Sequence, residues 1–598
     1  MSDSAEPLWK QAISNSSRRE CSDYLVELRR AAESASESEA RTLRLLADVT
    51  SMALVEGIGV EPLKAMMSGP SGRTAVPEDL SDPELDELKT LLPAVHDAEL
   101  CARICDVLWT RRRSPAHARQ AVDEYLKAAA LLQESASAWR VRVERALAFA
   151  AIMKDRERGT QIGAFLKASL VDETPSTRAV DALELLLGCG EDQPGTWAQR
   201  AEAFAKRATD AGNILLARDF HACAAKWHRR NKDDASVRRS RIAEAETYVA
   251  EAERASDAET ALLMKAHFYQ QAIEAFRRVG KCRERVDELH RQLLDIQQRA
   301  AATMKHFEGP TIDLTEMALA AIKELDGRGF QDALLRLATM VGLPSYEHRK
   351  KRASELAKEF PLSHLFGRQI VNDKGHIIAK APSGQLHESS TNDQALLASM
   401  YAQHENERGV WVTGMIEPAR KKIWLDHAVT EKDFLPLVAN NPIVPAGREG
   451  LFARALYAGL SGDLVQAVHI AVPQVEHAIR ALLNRRGVIT TGLGDDGLQE
   501  ESSLGTLLDK PELVDILGQD RIFDMKSLLT ERGGANLRNR AAHGLMSHQE
   551  FYTAQSVYVW WLTLHFCFLP TIATIAAAGD QAGNDAAPGA KNARNVND

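Results

Sequence analysis

The segment Arg538-Asn539-Arg540-Ala541-Ala542-His543-Gly544 sets a guanidinium, an amide and an imidazole within two helical turns. An imidazole, with an ordinary pKa of about 6.5, can take a proton from a ribose 2′-hydroxyl or give one to a leaving oxygen. A guanidinium can grip a phosphate through two hydrogen bonds and stabilise the charge that grows on it. Together they suit metal-free RNA cleavage, with Asn539 placed to orient either group. On a helix, Asn539 and His543 share a face one turn apart. Arg538 lies about 140° around from His543, but its long arm can swing to the same point. Ala541, Ala542 and Gly544 are small enough to let another helix or a ligand approach closely. The spacing predicts that Gly533-Gly534 opens this helix.

A second helix, predicted over about 463–484, carries the partner groups. Val468, Ala471, Val475, Ile479 and Leu482 form its apolar stripe, and His469, Glu476 and Arg480 fall at i, i+7 and i+11 along a neighbouring line. Pro473 lies on that line and should bend the helix. An Arg followed five residues later by His also occurs at Arg112…His117 and Arg285…His290, so that spacing alone carries little. The longer Arg-Asn-x-x-x-His-Gly string carries the argument. Its competing reading is a buried polar network that ties helices together.

Other motifs lead elsewhere. Gly492, Gly494 and Gly497 spell GxGxxG, but a dinucleotide site needs a strand before the glycines and a helix directly after them. Here a long helix precedes them and Asp495-Asp496 would repel a pyrophosphate, so the segment reads as a loop. The chain has no GxxxxGK, HExxH or GxSxG string. The seven cysteines form no CxxC pair, and Cys101 and Cys105, one turn apart, read as buried thiols. No metal and no cofactor is implied. Sparse cysteines and a Met1-Ser2-Asp3-Ser4 start without a signal pattern point to the cytoplasm.

A net charge of -9 supplies no global field toward nucleic acid, so RNA contact must come from local patches. Basic runs stand at Arg111–Arg113, Lys226–Arg241 and His348–Arg352, and solvated helix faces explain them most simply. The second run includes Trp227 and His228, which could stack on bases.

These elements belong to a chain of 598 residues, 45% apolar and 26% charged, long enough for several domains. The periodicity predicts an all-α protein. Residues 1–304 read as helical hairpins similar to tetratricopeptide arrays, a scaffold open to protein partners, although no strict period is present. Within it, Ala261, Met264, Phe268, Ala272 and Phe276 mark one apolar stripe. Residues 305–449 read as a connector with minor β content: a hairpin of Gln369–Val371 with His376–Ala379, and a further extended piece at Val410-Trp411-Val412. Residues 450–578 read as a helical bundle and 579–598 as a flexible tail. Phe551–Ala578 contains no Asp, Glu, Lys or Arg and is long enough for a membrane span. Polar interruptions at Gln555, Ser556 and His565 favour a buried core helix instead.

The string from Gly459 through Asp463 to Arg480, then Leu504-Gly505-Thr506-Leu507-Leu508, then Asn536–Gly544, resembles a domain family of unknown function defined by an RNxxxHG motif. That family includes the endoplasmic reticulum membrane-associated RNA degradation protein. The likeness spans roughly residues 450–550. The motif is also similar to the R-x4-6-H signature of HEPN ribonucleases, small helical bundles that dimerise so that two motifs line one metal-independent cleft. That resemblance implies Arg538 and His543 as catalytic, Asn539 as the polar residue after the arginine, and Glu476 as an acidic partner. His469, Arg480 and Gly544 would support them. It further implies an RNA substrate, a homodimer and a role in bacterial stress or phage defence.

Overall fold

The computed structural model describes residues 6–585, apart from 19, 56–62, 70–71, 133–134, 173, 191, 305–310, 344, 361–366, 373, 384–389 and 496. The protein is all-α, with four two-stranded antiparallel hairpins among the described residues. It divides into two compact units, Met1–Thr303 and Met304–Asp598.

The first unit is built from antiparallel helices joined by very short turns, and a recurring local device makes them. One residue takes the left-handed conformation, and the next caps the following helix. Gly212 (φ 76°) precedes Asn213, whose side chain accepts from Leu216 N at 3.1 Å. Lys232 (φ 57°) precedes Asp233, which accepts from Ser236 N at 3.0 Å. Lys154 and Asp155 repeat the arrangement. Each such pair stops one helix and satisfies an orphan N–H of the next. The device joins helices Pro194–Asp210, Ile214–Arg230 and Asp234–Arg254, and Leu262–Val279 and Arg283–Thr303 follow through other turns. This is the helical-repeat texture expected from sequence.

The Leu262–Val279 helix shifts the predicted stripe. The predicted Ala272 and Phe276 are buried, but Met264 is exposed, and Leu262, Ala266, Tyr269 and Ile273 complete the core face. Trp227 is wholly buried with its indole N–H donating to Leu183 O at 3.0 Å. His228 is buried against Glu202, 2.8 Å away. Neither ring is available to stack on a base, which corrects that expectation; burial won because both lie on the inner face of a paired helix. Cys101 and Cys105 are buried thiols.

Carboxylates of the Ala98–Arg112 helix also lie in this core. Glu99 receives Arg142 at 2.6 and 2.8 Å, and Asp106 receives Arg145 at 2.9 and 2.7 Å and Tyr125 Oη at 2.8 Å. Removing one partner of such a pair leaves an uncompensated buried charge. Asp106→Ala should therefore destabilise the first unit by about 3–5 kcal/mol in denaturant unfolding. A loss well below 1 kcal/mol would show that the pair carries little.

The second unit wraps the Ala554–Asp585 helix. Tyr558, Trp560, Trp561 and Leu562 are fully buried on it. Trp560 Nε1 donates to Leu456 O at 2.9 Å, and Trp561 Nε1 to Leu337 O at 2.8 Å. Gly459 lets the indole of Trp560 lie against the backbone; a Cβ there would sit 2.0 Å from the ring. Over Ala554–Ala577 this helix is long and apolar enough to cross a membrane, yet 56% of its apolar window is buried inside the protein. The helix continues through Asp585, and residues 586–598, the rest of the expected tail, lie outside the described residues.

Much of the stretch read as a connector belongs to this core. Leu334, Leu337, Ile416 and Phe434 pack in one cluster with Leu456, Val475 and Trp561. The hairpin forms between Arg368–Val371 and Ile377–Ala381. Val410-Trp411-Val412 is not extended: Ser390–Trp411 is a helix running into a π-helical turn at Val412–Ile416. Its apolar residues are in contact with the core on a helical face, and a three-residue apolar run cannot distinguish the two periodicities. The glycine-rich segment becomes a hairpin, Thr491–Leu493 with Gln499–Glu501, with no helix on its glycines; Asp496 lies outside the described residues.

A buried ionic cluster sits beneath the motif. His404 Nε2 lies 2.5 Å from Asp524 Oδ1, Arg408 donates to the same oxygen at 3.2 Å, and Tyr558 Oη donates to Oδ2 at 3.2 Å. Burial pushes the Asp524 carboxyl up, but His404 and Arg408 outweigh it and hold it below the ordinary carboxylate range. A carboxylate depressed in the folded state contributes stability above its unfolded pKa of about 3.9, lost as pH falls through the folded value. Thermal melts followed by circular dichroism should show the second unit weakening below about pH 4. Asp524→Asn should reduce that acid dependence, and an unchanged acid profile would rule out this carboxylate as a contributor.

Candidate functional site

The Leu464–Arg485 helix is capped by Asp463, whose side chain accepts from Gln466 N at 3.0 Å. It runs through Pro473 without interruption. Because proline has no N–H, the carbonyl of His469 one turn back loses its helical donor. The predicted stripe faces inward: Val468, Ala471, Val475 and Ile479 are buried.

The motif helix is short, Leu537–Ala542. Its start is set by Asn536 rather than by the glycines. Asn536 adopts the left-handed conformation (φ 49°), and its Oδ1 accepts from Asn539 Nδ2 at 2.7 Å. Gly534 has a different task. A Cβ there would lie 2.1 Å from Ser527 O, so only glycine lets the loop press onto the π-helical turn at Lys526–Thr530. Ala535 N then donates to Ser527 O at 2.9 Å. Ser527 lies within 3.4 Å of Arg408 Nη2, which ties the loop to the buried ionic cluster. The helix ends at His543, with Gly544 left-handed (φ 64°) and Leu545 N donating to Arg540 O at 2.8 Å.

These two helices bring Arg538 to Glu476. Arg538 Nε donates to Glu476 Oε2 at 2.9 Å and Nη2 to Oε1 at 3.5 Å. Arg538 Nη1 also donates to Asn539 Oδ1 at 3.2 Å. Arg480 Nη2 reaches Glu476 Oε1 at 3.3 Å and Ser502 O at 2.9 Å, and its Nε stands 2.8 Å from Glu501. Glu476 thus holds two guanidinium groups, one of them from the motif. Arg540 turns away and pairs with Glu550.

The network lies along an open cavity of about 400 Å³ that His469, Glu476, Arg480 and Arg538 line together. His469 is fixed by its Nδ1, 2.8 Å from Val465 O, and by stacking on Phe551 with ring centroids 4.9 Å apart. His543 is not drawn into the network. It is exposed, and its imidazole has no hydrogen-bond partner among the described residues. Sequence reasoning placed Asn539 and His543 on one face; in the fold Asn539 serves Arg538 and Asn536, while His543 stands free at the helix end.

Three polar lining residues were not singled out by sequence: Arg448, Gln474 and His477. Gln474 and His477 flank Glu476 on the same helix, so helical spacing alone could have flagged them. Arg448 enters from a turn before the Glu449–Ser461 helix and left no local signal. Burial, with Arg448 and Arg480 nearby, holds His477 below the ordinary histidine range, so this imidazole is neutral at pH 7. The arrangement can grip an anion with guanidinium groups and move a proton through an imidazole, and it needs no metal ligands to do so. Among the described residues no cluster of His, Cys, Asp and Glu has metal-holding geometry.

Residues 1–162 match a family model described as Domain of unknown function (DUF7380). The match falls on the first unit, within the stretch read as helical hairpins similar to tetratricopeptide arrays, and not on residues 450–550. No curated protein and no solved structure matches the chain.

Two substitutions separate the local roles. Gly544→Ala should cost about 1–2 kcal/mol, because an L-residue is strained in the left-handed region. Glu476→Ala should cost about 1–3 kcal/mol by removing the carboxylate that two half-buried guanidinium groups share. Chemical denaturation of each variant against wild type measures both, and two neutral results would refute the local geometry.

Proposed function

We propose that the protein is a metal-independent endoribonuclease whose chemistry resides in the second unit. The reading rests on one observation above all. Arg538 is brought by Glu476 to the edge of an open cavity, with the exposed imidazole of His543 five residues further on, at the end of the same short helix. The resemblance to RNxxxHG and HEPN domains supports the same assignment. Arg538 stabilises charge on the scissile phosphate, and His543 takes the 2′-hydroxyl proton or protonates the leaving 5′-oxygen. Attack by the 2′-oxygen on phosphorus breaks the bond to the 5′-oxygen and leaves a 2′,3′-cyclic phosphate. Asn539 and Glu476 hold Arg538; Arg480, His469 and Gly544 hold the elements that carry them. A homodimer would place two such motifs along one cleft, and the helical repeats of the first unit would serve as a sensing or partner-binding scaffold. A role in bacterial stress or phage defence follows from the same kinship, with the cytoplasm as its setting.

A second reading, a non-enzymatic adaptor, draws on the same ion network: Glu476 joins two helices and would be a structural clasp. The two readings part on His543, whose imidazole has no hydrogen-bond partner among the described residues. Purified protein should cut RNA in the presence of EDTA and yield 2′,3′-cyclic ends. His543→Ala should abolish cutting while leaving the helical circular dichroism and melting temperature unchanged. A His543→Ala protein that cuts as well as wild type would refute the assignment.

A further inference from the structure

The cavity beside Arg538 contains more than the proposed cleavage step uses. Its volume of about 400 Å³ lies in the range of sites that enclose one small ligand. Three guanidinium groups line it, from Arg448, Arg480 and Arg538, against the single carboxylate of Glu476. Arg480 and Arg538 are already engaged with Glu476. Arg448 is half-buried and has no ion pair among the described residues. Its charge faces the cavity unspent, and a phosphate group is a matching partner for a guanidinium.

Gln474 supplies the second, independent observation. It lines the same cavity, is only 7% exposed, and its Oε1 is buried without a hydrogen-bond partner. Buried amide oxygens are nearly always satisfied, so one left open beside a cavity points to a donor that arrives with a ligand. A glutamine amide offers an acceptor and a donor side by side. The exocyclic amine and N7 of adenine present the complementary pair. Apart from His469 and His477, the remaining wall is apolar, with Val468, Val472 and Pro473 in it, as suits the face of a base.

We propose that this cavity holds one nucleotide of an RNA substrate, with Arg448 on its phosphate, the Gln474 amide on its base edge, and adenine the preferred base. This rests on the endoribonuclease reading, because Arg538 lines the same cavity and would set the nucleotide next to the scissile bond. Gln474 and Arg448 are then residues of substrate selection and binding, separate from the proton transfers of His543.

The test uses the full chain on a random-sequence pool of oligoribonucleotides, with the cut ends sequenced. Wild type should enrich adenine at one position beside the cut, Gln474→Leu should flatten that enrichment, and Arg448→Ala should raise KM about tenfold. Calorimetric titration with adenosine monophosphate should show binding that Arg448→Ala weakens by a similar factor and that exceeds binding of cytidine monophosphate. If wild type cuts RNA but Gln474→Leu keeps the same base preference, the subsite is overturned and the nuclease reading stands. If wild type cuts nothing yet binds adenosine monophosphate in an Arg448-dependent way, the nuclease reading falls and the nucleotide site stands. Absence of both overturns both.

Discussion

Glu476 and Arg538 lie 62 residues apart in the chain and meet at 2.9 Å. That contact is the constraint on which the candidate site depends, since the motif helix has only six residues and cannot fix its own direction. An isolated helix of that length has no stability in water. Its orientation comes from what grips it: the carboxylate at one side, the Asn536–Asn539 hydrogen bond at its start, and left-handed Gly544 at its end. Because Glu476 also takes Arg480, the same carboxylate sets the line of positive charge along the cavity.

Beneath this contact the support is buried and ionic. Asp524 gathers His404, Arg408 and Tyr558 in an interior that water does not reach, and Arg408 extends to Ser527. The carbonyl of Ser527 receives the loop that leads into Arg538, and Gly534 permits the approach. Asp524 is engaged through both carboxylate oxygens, while His404 Nδ1 and Arg408 Nε are buried without a hydrogen-bond partner among the described residues, so the cluster fixes its segments chiefly through that carboxylate. The pieces of the second unit that carry no chemistry therefore bear on the chemistry through position. The π-helical turns at Val412–Ile416 and Lys526–Thr530 fall on the two segments that build this support, a location in keeping with the occurrence of such turns near functional sites.

Long periodic stretches made the all-α fold and the helical-hairpin texture legible in the sequence, because an amphipathic face repeats over many turns. The pairing of Glu476 with Arg480 followed from i, i+4 spacing. Its second pairing, with Arg538, was reachable only because both residues stood out chemically; no local rule joins helices so far apart. What escaped notice was set by tertiary contact. Arg448 comes from a turn, Asn536 acts through a left-handed backbone, and Gly534 matters for a distance to another segment rather than as a helix opener. Trp227 and His228 misled for a related reason: a basic run on a paired helix still has an inner face. Val410-Trp411-Val412 misled because three apolar residues fit either period.

The two sides of the site also differ in commitment. Arg538 is tied down by charge, and His543 is left free at a helix end, an arrangement that a purely structural clasp does not require. The central physical claim is that Glu476 holds Arg538 directly. A double-mutant cycle over Glu476→Ala and Arg538→Ala, read as unfolding free energy of the full chain's second unit, tests it most directly. The contact predicts that the two losses fall short of additivity by about 0.5–3 kcal/mol. Losses that simply add would mean that the carboxylate does not position the arginine.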